Sequence, residues 1–188
     1  MWSKIRKVFL FVLELIFLAL LAFGVVKIVH RFVFQPFYIL GSSMEPNFFN
    51  YDYLIINKIS YRFNEIERGE VIVLKNPSSP ASLIIKRVVG LPGEEIKIKE
   101  GKVFLYNKIL GWRELEEPYL GVGTSTPGDL EITLASDEYF VMGDNRNASL
   151  DSRSFGVLKK NLIVGRAWLR AWPFSSFGFI KEYPKLNN

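Results

Sequence analysis

A long apolar run near the N-terminus constrains the fold of this chain more than any other feature. Residues 8–29 are apolar except for Glu14 and Lys27. A helix needs roughly 20 such residues to cross a bilayer, and this run is long enough. The run therefore predicts one membrane-spanning helix at 8–29, and the rest of the 188-residue chain has to fold outside the lipid.

The charges around the run predict its orientation. Residues 1–7 carry three cations, more than the residues just beyond the run, so the N-terminus is expected to stay cytoplasmic and the remainder to lie outside the cytoplasm. The triplet Ala22-Phe23-Gly24 also fits the cleavage site of a secretory signal peptide. The apolar run continues to Val29, which favours an uncleaved, single-pass anchor in the cell membrane.

The composition excludes several kinds of active site. The chain has no cysteine, so disulfides, thiol nucleophiles and thiolate metal sites are excluded. Its only histidine, His30, would have to serve a Ser-His-Asp triad from the membrane surface, and no cluster of ligands has metal-binding spacing. We expect neither metal nor cofactor. The net charge of +5 suits a surface that faces anionic lipid, while the scattered cations do not suggest nucleic-acid binding.

The residues that follow the apolar run predict an antiparallel β domain over 32–184. Short runs rich in aliphatic and aromatic residues alternate with Gly- and Pro-containing turns, the pattern of a mainly β fold. The predicted strands are 51–59, 70–75, 83–89, 94–99, 102–106, 138–142 and 162–172. Residues 107–137 look like an inserted loop or cap, so we expect a small cap insertion within about 95–137, and a frayed polar tail at 185–188.

A serine in the segment GSSMEP, residues 41–46, is a candidate nucleophile. Gly41 permits backbone geometry that a side chain would forbid, and Pro46 fixes the exit of the loop. Such a loop can expose the Ser43 hydroxyl beside backbone N–H groups that bind an oxyanion. A serine in a turn is more often a turn or capping residue, and the segment alone leaves that alternative open.

A lysine within a predicted strand is a candidate base. Alternation places Lys86 on one face with Ser82, Ile84 and Val88. Arg87 lies on the other face with Leu83 and Ile85. Aliphatic surroundings disfavour the ammonium form and lower the pKa of a lysine, which then accepts a proton from serine. The strand position alone also allows Lys86 to extend to solvent.

The segment GDNRNASLDSR, residues 143–153, is a polar turn that complements the other two segments. Glycine and Asx residues favour a turn here. A neutral lysine needs a hydrogen-bond partner, and the hydroxyl of Ser149 is suitable. Asp151 and Arg153 are near enough in sequence to pair. We expect structural support from Asp144, Arg146, Asp151 and Arg153.

Together these segments resemble the type I signal peptidases, the membrane-bound Ser-Lys enzymes that remove signal peptides from exported preproteins. The resemblance covers nearly the whole chain. It rests on the anchor and on PFYILGSSMEP (36–46), YDYLIINKISY (51–61), RGEVIVLKNP (68–77), IKRVVGLPGE (85–94), FVMGDNRNASLDSR (140–153) and VGRAWLRAWP (164–173).

The resemblance implies a role for each motif residue. Ser43 would be the nucleophile, Lys86 the general base and Ser149 the residue that orients the lysine. The Ser43 N–H, with backbone help from Gly41, would bind the oxyanion. The resemblance also implies a substrate pocket for small side chains of an Ala-x-Ala site, lined by Phe37, Ile39, Leu40, Met44, Ile84 and Ile85.

The resemblance also implies partners and a fold. Signal peptides of secretory preproteins would bind as an added strand, next to the lipid bilayer and near the export translocon. The fold would be the antiparallel sheet that signal peptidases share with LexA-like proteins. Asn147 and Ala148 depart from the common family pattern GDNRDNSxDSR. Phe48 and Phe49 follow the active loop and are either core residues or membrane contacts.

Two other functions remain open from the sequence. A LexA-like self-cleaving protease would use the same Ser-Lys pair, although the apolar N-terminus stands where such proteins carry a DNA-binding domain. A non-catalytic, membrane-tethered β domain would bind partners and would make the Ser-Lys pair a coincidence.

Overall fold

A computed structural model describes residues 2–181, except for the side chains of residues 3 and 28–32. The predicted tail at 185–188 and the side chain of His30 therefore lie outside the described residues. Helix α1 spans Trp2–Phe32, and its many Leu, Phe and Val side chains are exposed instead of packed on the rest of the chain. Among the described helices, only α1 is long and apolar enough to cross a membrane, over Lys4–Lys27.

The remainder is a mainly β fold, as the sequence predicts, and every predicted strand is present. Two one-turn helices, α2 (Ser60–Phe63) and α3 (Ser152–Phe155), interrupt the strands. The strands are β1 (Phe34–Tyr38), β2 (Tyr53–Asn57), β3 (Val71–Asn76), β4 (Ser79–Gly90), β5 (Glu95–Lys99), β6 (Lys102–Asn107), β7 (Gly111–Glu114), β8 (Leu130–Thr133), β9 (Glu138–Met142), β10 (Leu158–Lys159), β11 (Ile163–Trp172) and β12 (Gly178–Phe179).

The larger sheet has eight antiparallel strands in the order β1-β2-β11-β3-β4-β9-β10, with β12 paired to β11. Strand β4 lies inside this sheet and buries both faces. Leu83 and Ile85 pack in one core cluster, whereas Ile84 and Val88 pack in another. The predicted alternation along β4 is therefore confirmed, and it gives Lys86 an aliphatic environment on the side of Ile84 and Val88.

A second, four-stranded antiparallel sheet has the order β7-β6-β5-β8 and corresponds to the predicted cap. Segment 107–137 contributes two of its strands, β7 and β8, although no strand is predicted in this segment from the sequence. Both strands have four residues, too few for a clear alternating pattern. Strands β5 and β6 form a hairpin that turns at Glu100-Gly101, with Lys99 paired to Lys102.

The two sheets share one core cluster, in which Ile96 and Ile98 of the small sheet meet Phe140 and Met142 of the large one. Gly90 stands where β4 leaves the large sheet. A Cβ atom at this position would lie 2.0 Å from Ile96 Cδ1 and 3.0 Å from Phe140 Cβ, so glycine allows the close approach without a shift of these side chains.

Candidate active site

The loop that carries Ser43 is closed at its base and held by buried residues. The N–H of Ile39 donates to the Asp52 carbonyl and the N–H of Tyr51 donates to the Ile39 carbonyl. Ile39 and Met44 are buried in the core cluster below the loop. Gly41 has φ +97°, in the left-handed region that favours glycine. These contacts hold Ser43 at the surface, next to the buried Met44.

Ser43 and Lys86 are far apart in sequence, but their side chains are in direct contact. The Nζ atom of Lys86 lies 2.7 Å from Ser43 Oγ and also donates to the Ile85 carbonyl at 2.7 Å. Lys86 is 2% exposed. The predicted base is thus within direct proton-transfer distance of the predicted nucleophile.

The environment of Lys86 makes its charged form less favourable than it is in water. Burial lowers the pKa of Lys86 from 10.5 to about 8, and the negative charges of Asp151 and Asp144 oppose this shift without overcoming it. Desolvation acts in this direction on any buried ammonium group, because the charged form loses more hydration than the neutral form.

Asp144 and Arg146 of the third segment make buried ion pairs. The Asp144 carboxylate receives two hydrogen bonds from Arg87, at 2.8 Å and 2.6 Å. Arg146 pairs with Glu117 and donates to the hydroxyl of Thr126. Glu117 and Thr126 belong to the cap segment, so this segment fixes the turn that lies beside Ser43.

Asp151 and Arg153 also pair, as the sequence predicts, through two hydrogen bonds of 2.8 Å. Asp151 accepts the Gly143 N–H as well, and these bonds lower the pKa of Asp151 against the opposing effect of burial. Ser149 Oγ is buried and makes no hydrogen bond of normal geometry with the described residues, although it lies near enough to Asp151 to contribute to that low pKa.

The two predicted oxyanion donors differ in their availability. The Gly41 N–H donates to Asn50 Oδ1 at 2.9 Å. In the described part of the chain, no hydrogen bond engages the Ser43 N–H. Ser43 therefore supplies a free backbone donor next to its own hydroxyl.

A small cleft next to the Ser-Lys pair has a volume of about 140 Å³. The predicted pocket residues divide into two groups: four line the cleft, whereas Ile39 and Met44 lie in the core below it. The lining residues are Phe37, Tyr38, Leu40, Ser43, Leu83, Ile84, Ile85 and Lys86.

The sequence does not indicate every residue around the site. Asn47 donates to both the Tyr119 carbonyl and the Asp144 carboxylate, and Asn145 contacts the loop of Ser43. Asn145 stands in a motif that predicts a turn, but nothing in the neighbouring sequence predicts its contacts with the loop of Ser43. The two aromatic residues after the loop have different environments: Phe48 is buried in the core and Phe49 is 51% exposed.

Comparison with known proteins gives a family for this geometry. A family model described as signal peptidase, peptidase S26, matches residues 12–172. The chain belongs to this family of signal peptidases. It is 37% identical over 163 residues to a probable signal peptidase I-2 from Synechocystis sp., covering 82% of this chain and 70% of the relative.

Other members of the signal peptidase family are similar over more of their length. Signal peptidase IB of Staphylococcus aureus (strain COL) is 31% identical over 183 residues, which are 88% of this chain and 92% of the relative. The crystal structure of a signal peptidase I from Enterococcus faecalis V583 matches with a TM-score of 0.46 and 25% identity, covering 55% of this chain and 97% of that chain. The predicted family, the β fold with an apolar N-terminal helix and the class of serine-type peptidase are confirmed.

Proposed function

We propose that this chain cleaves signal peptides from exported preproteins after a small residue, with Ser43 as nucleophile and Lys86 as general base. The observation that carries the proposal is the 2.7 Å contact between Lys86 Nζ and Ser43 Oγ. A buried lysine whose pKa is lowered to about 8 is neutral in a larger fraction of molecules than an exposed lysine, which supports its role as the base. Family membership favours this function over a LexA-like regulator or a non-catalytic β domain.

The reaction follows from this geometry in two steps. Neutral Lys86 takes the Ser43 proton as Oγ attacks the scissile carbonyl, and the oxyanion accepts a hydrogen bond from the Ser43 N–H. The lysine then gives its proton to the leaving amine, which leaves an ester on Ser43. In the second step Lys86 accepts a proton from water as the water oxygen attacks the ester, and it then returns this proton to Ser43 Oγ as the acid product leaves. We propose that Ser149, whose buried hydroxyl makes no hydrogen bond of normal geometry with the described residues, orients Lys86 once Ser43 is acylated.

The cleft suits an extended peptide with small side chains. Strand β1 is an edge strand, and β9 pairs with β4 only from Arg87 to Gly90, so residues 83–86 keep an edge without a strand partner among the described residues. Both edges line the cleft, and an extended peptide can add a strand there. The volume of about 140 Å³ is well below the range of about 300–1,000 Å³ for drug-sized ligands, which favours side chains such as alanine.

The short connection to α1 keeps the cleft near the lipid. One residue separates the end of α1 at Phe32 from the start of β1 at Phe34. The path from Lys27 to Phe37 is at most about 24 Å, from rises of roughly 1.5 Å per helical residue and 3.3 Å per strand residue. We propose that residues 8–29 stay as an uncleaved span, with 1–7 cytoplasmic and the catalytic domain of 32–184 at the outer membrane surface near the export translocon.

The experiment that tests the function uses the full chain in detergent with added phospholipid. A preprotein with an Ala-x-Ala site is incubated with the parent, Ser43→Ala, Lys86→Ala and two control variants. Ser42→Ala removes the neighbouring hydroxyl, and Lys75→Ala removes an exposed lysine of the adjacent strand. We expect the parent and both controls to cut at the site and the two dyad variants to be inactive. Cleavage by Ser43→Ala, or none by the folded parent, contradicts the proposal.

A further inference from the structure

Asn145 makes two hydrogen bonds to successive carbonyl groups of the loop that carries the nucleophile. Its side-chain Nδ2 donates to the Ser42 carbonyl at 3.2 Å, and its backbone N–H donates to the Ser43 carbonyl at 3.1 Å. Asn145 and the loop of Ser43 are about a hundred residues apart in sequence. The side chain and the backbone of one residue thus hold consecutive peptide groups of the active loop.

The first of these bonds acts on the oxyanion donor, because the Ser42 carbonyl and the Ser43 N–H belong to the same peptide group. A trans peptide is planar and its C=O and N–H bonds point in opposite directions. A contact that fixes the direction of the Ser42 oxygen therefore fixes the direction of the Ser43 N–H. A hydrogen bond to the carbonyl also polarises the amide and strengthens its N–H as a donor.

The direction of this N–H matters more here because the second predicted donor is occupied. The Gly41 N–H donates to Asn50 Oδ1, which leaves the Ser43 N–H as the available one of the two. The Glu45 N–H also donates to the Ser42 carbonyl, at 3.1 Å, so Asn145 shares this task with a turn within the loop. Loss of the Asn145 side chain is therefore expected to loosen the peptide group without displacing the loop.

We infer that Asn145 is a positioning residue that aims the Ser43 N–H at the developing oxyanion. The inference rests on the proposed function, since it assumes that Ser43 attacks a carbonyl. Asn145 is expected to stabilise the transition state and not the bound substrate, because a hydrogen bond to the oxyanion becomes strong only as negative charge develops on the substrate oxygen.

The test compares Asn145→Ala with Asn147→Ala in the full chain with lipid. Asn147 lies in the same turn, is exposed and has no side-chain hydrogen bond among the described residues, so it controls for the loss of an amide from this loop. The Asn145→Ala variant keeps its backbone bond to Ser43. Four quantities are measured with an Ala-x-Ala substrate: kcat, KM, the pH at half-maximal rate, and the inhibition constant of a substrate-like peptide aldehyde. The aldehyde carbon bonds to Ser43 Oγ, and its oxygen then occupies the oxyanion position.

We expect Asn145→Ala to lower kcat about 10-fold, less than the roughly 10²–10³-fold loss that follows removal of a whole oxyanion donor. The aldehyde should bind more weakly by a similar factor. KM should stay within about twofold and the pH at half-maximal rate should not move, because substrate binding and Lys86 are untouched. The Asn147→Ala variant should match the parent in all four quantities.

Two results overturn the inference while leaving the function intact. The first is an Asn145→Ala variant that matches the parent. The second is a variant in which KM and the pH at half-maximal rate change together with kcat, since that pattern indicates a displaced loop. A folded parent that cleaves nothing contradicts the proposed function itself and the inference with it.

Discussion

The pKa of Lys86 gives the sharpest prediction, because it fixes the pH at which the enzyme becomes active. A lysine with a pKa of about 8 is neutral in about a tenth of molecules at pH 7 and in about nine tenths at pH 9. The cleavage rate should therefore rise about 10-fold between these pH values and level off above them. A lysine with the ordinary pKa of 10.5 would be neutral about 300 times less often at pH 7.

The assay is kcat/KM for an Ala-x-Ala peptide from pH 6.5 to 9.5, with lipid and detergent held constant. Lys86→Arg serves as the control, since arginine keeps the positive charge but does not lose its proton in this range. This variant should be inactive at every pH. A flat profile, or a half-maximal rate near the pKa of an exposed lysine, would refute the assignment of a desolvated Lys86 as base.

Two further predictions concern stability. Below about pH 8 Lys86 is charged in both the folded and unfolded states, and burial of this charge costs on the order of 3 kcal/mol. The folded state gains stability as the pH rises from about 8 to 10.5, because Lys86 loses its proton in the folded state first. Lys86→Met should thus raise the denaturation midpoint at pH 7, and this gain should disappear above pH 10.5. A midpoint at pH 7 that is equal to or below that of the parent would contradict the free-energy cost of burying the charged lysine. Asp144→Ala removes the buried carboxylate that pairs with the Arg87 guanidinium and should destabilise by about 3–5 kcal/mol in denaturant unfolding. Glu114→Ala, which breaks the exposed pair with Lys102, should cost less than about 1 kcal/mol, and equal losses would contradict the difference in burial.

The parts of the fold that the sequence predicts are those with a strong local pattern. The apolar run predicts α1, and alternation along β4 predicts which face carries Lys86. The same pattern is too short in β7 and β8, so neither strand is predicted from the sequence. These strands form because they pair with a neighbouring strand. Strand β8 pairs with the edge of β5, and its four residues alone do not predict this pairing.

The site shows the same limit. The sequence motifs point to Ser43 and Lys86, and in the structure Lys86 Nζ lies 2.7 Å from Ser43 Oγ. The partner of Arg146 is not predictable from its neighbours, because Glu117 lies 29 residues away in the cap. Met44 illustrates a different limit: it follows the proposed nucleophile directly and is expected in the pocket, but its side chain is buried in the core.

The arrangement of charges explains how a lysine stays partly neutral among carboxylates. Asp144 and Asp151, the two that act on Lys86, each pair with an arginine. Among the described residues, Lys86 itself contacts only neutral oxygens, those of Ser43 and Ile85. Because each carboxylate is largely neutralised by its own arginine, its field at Lys86 is weaker than that of a free carboxylate, and desolvation decides the pKa. The ion pairs thus hold the turn beside Ser43 without supplying the lysine with a counter-ion that would keep it protonated.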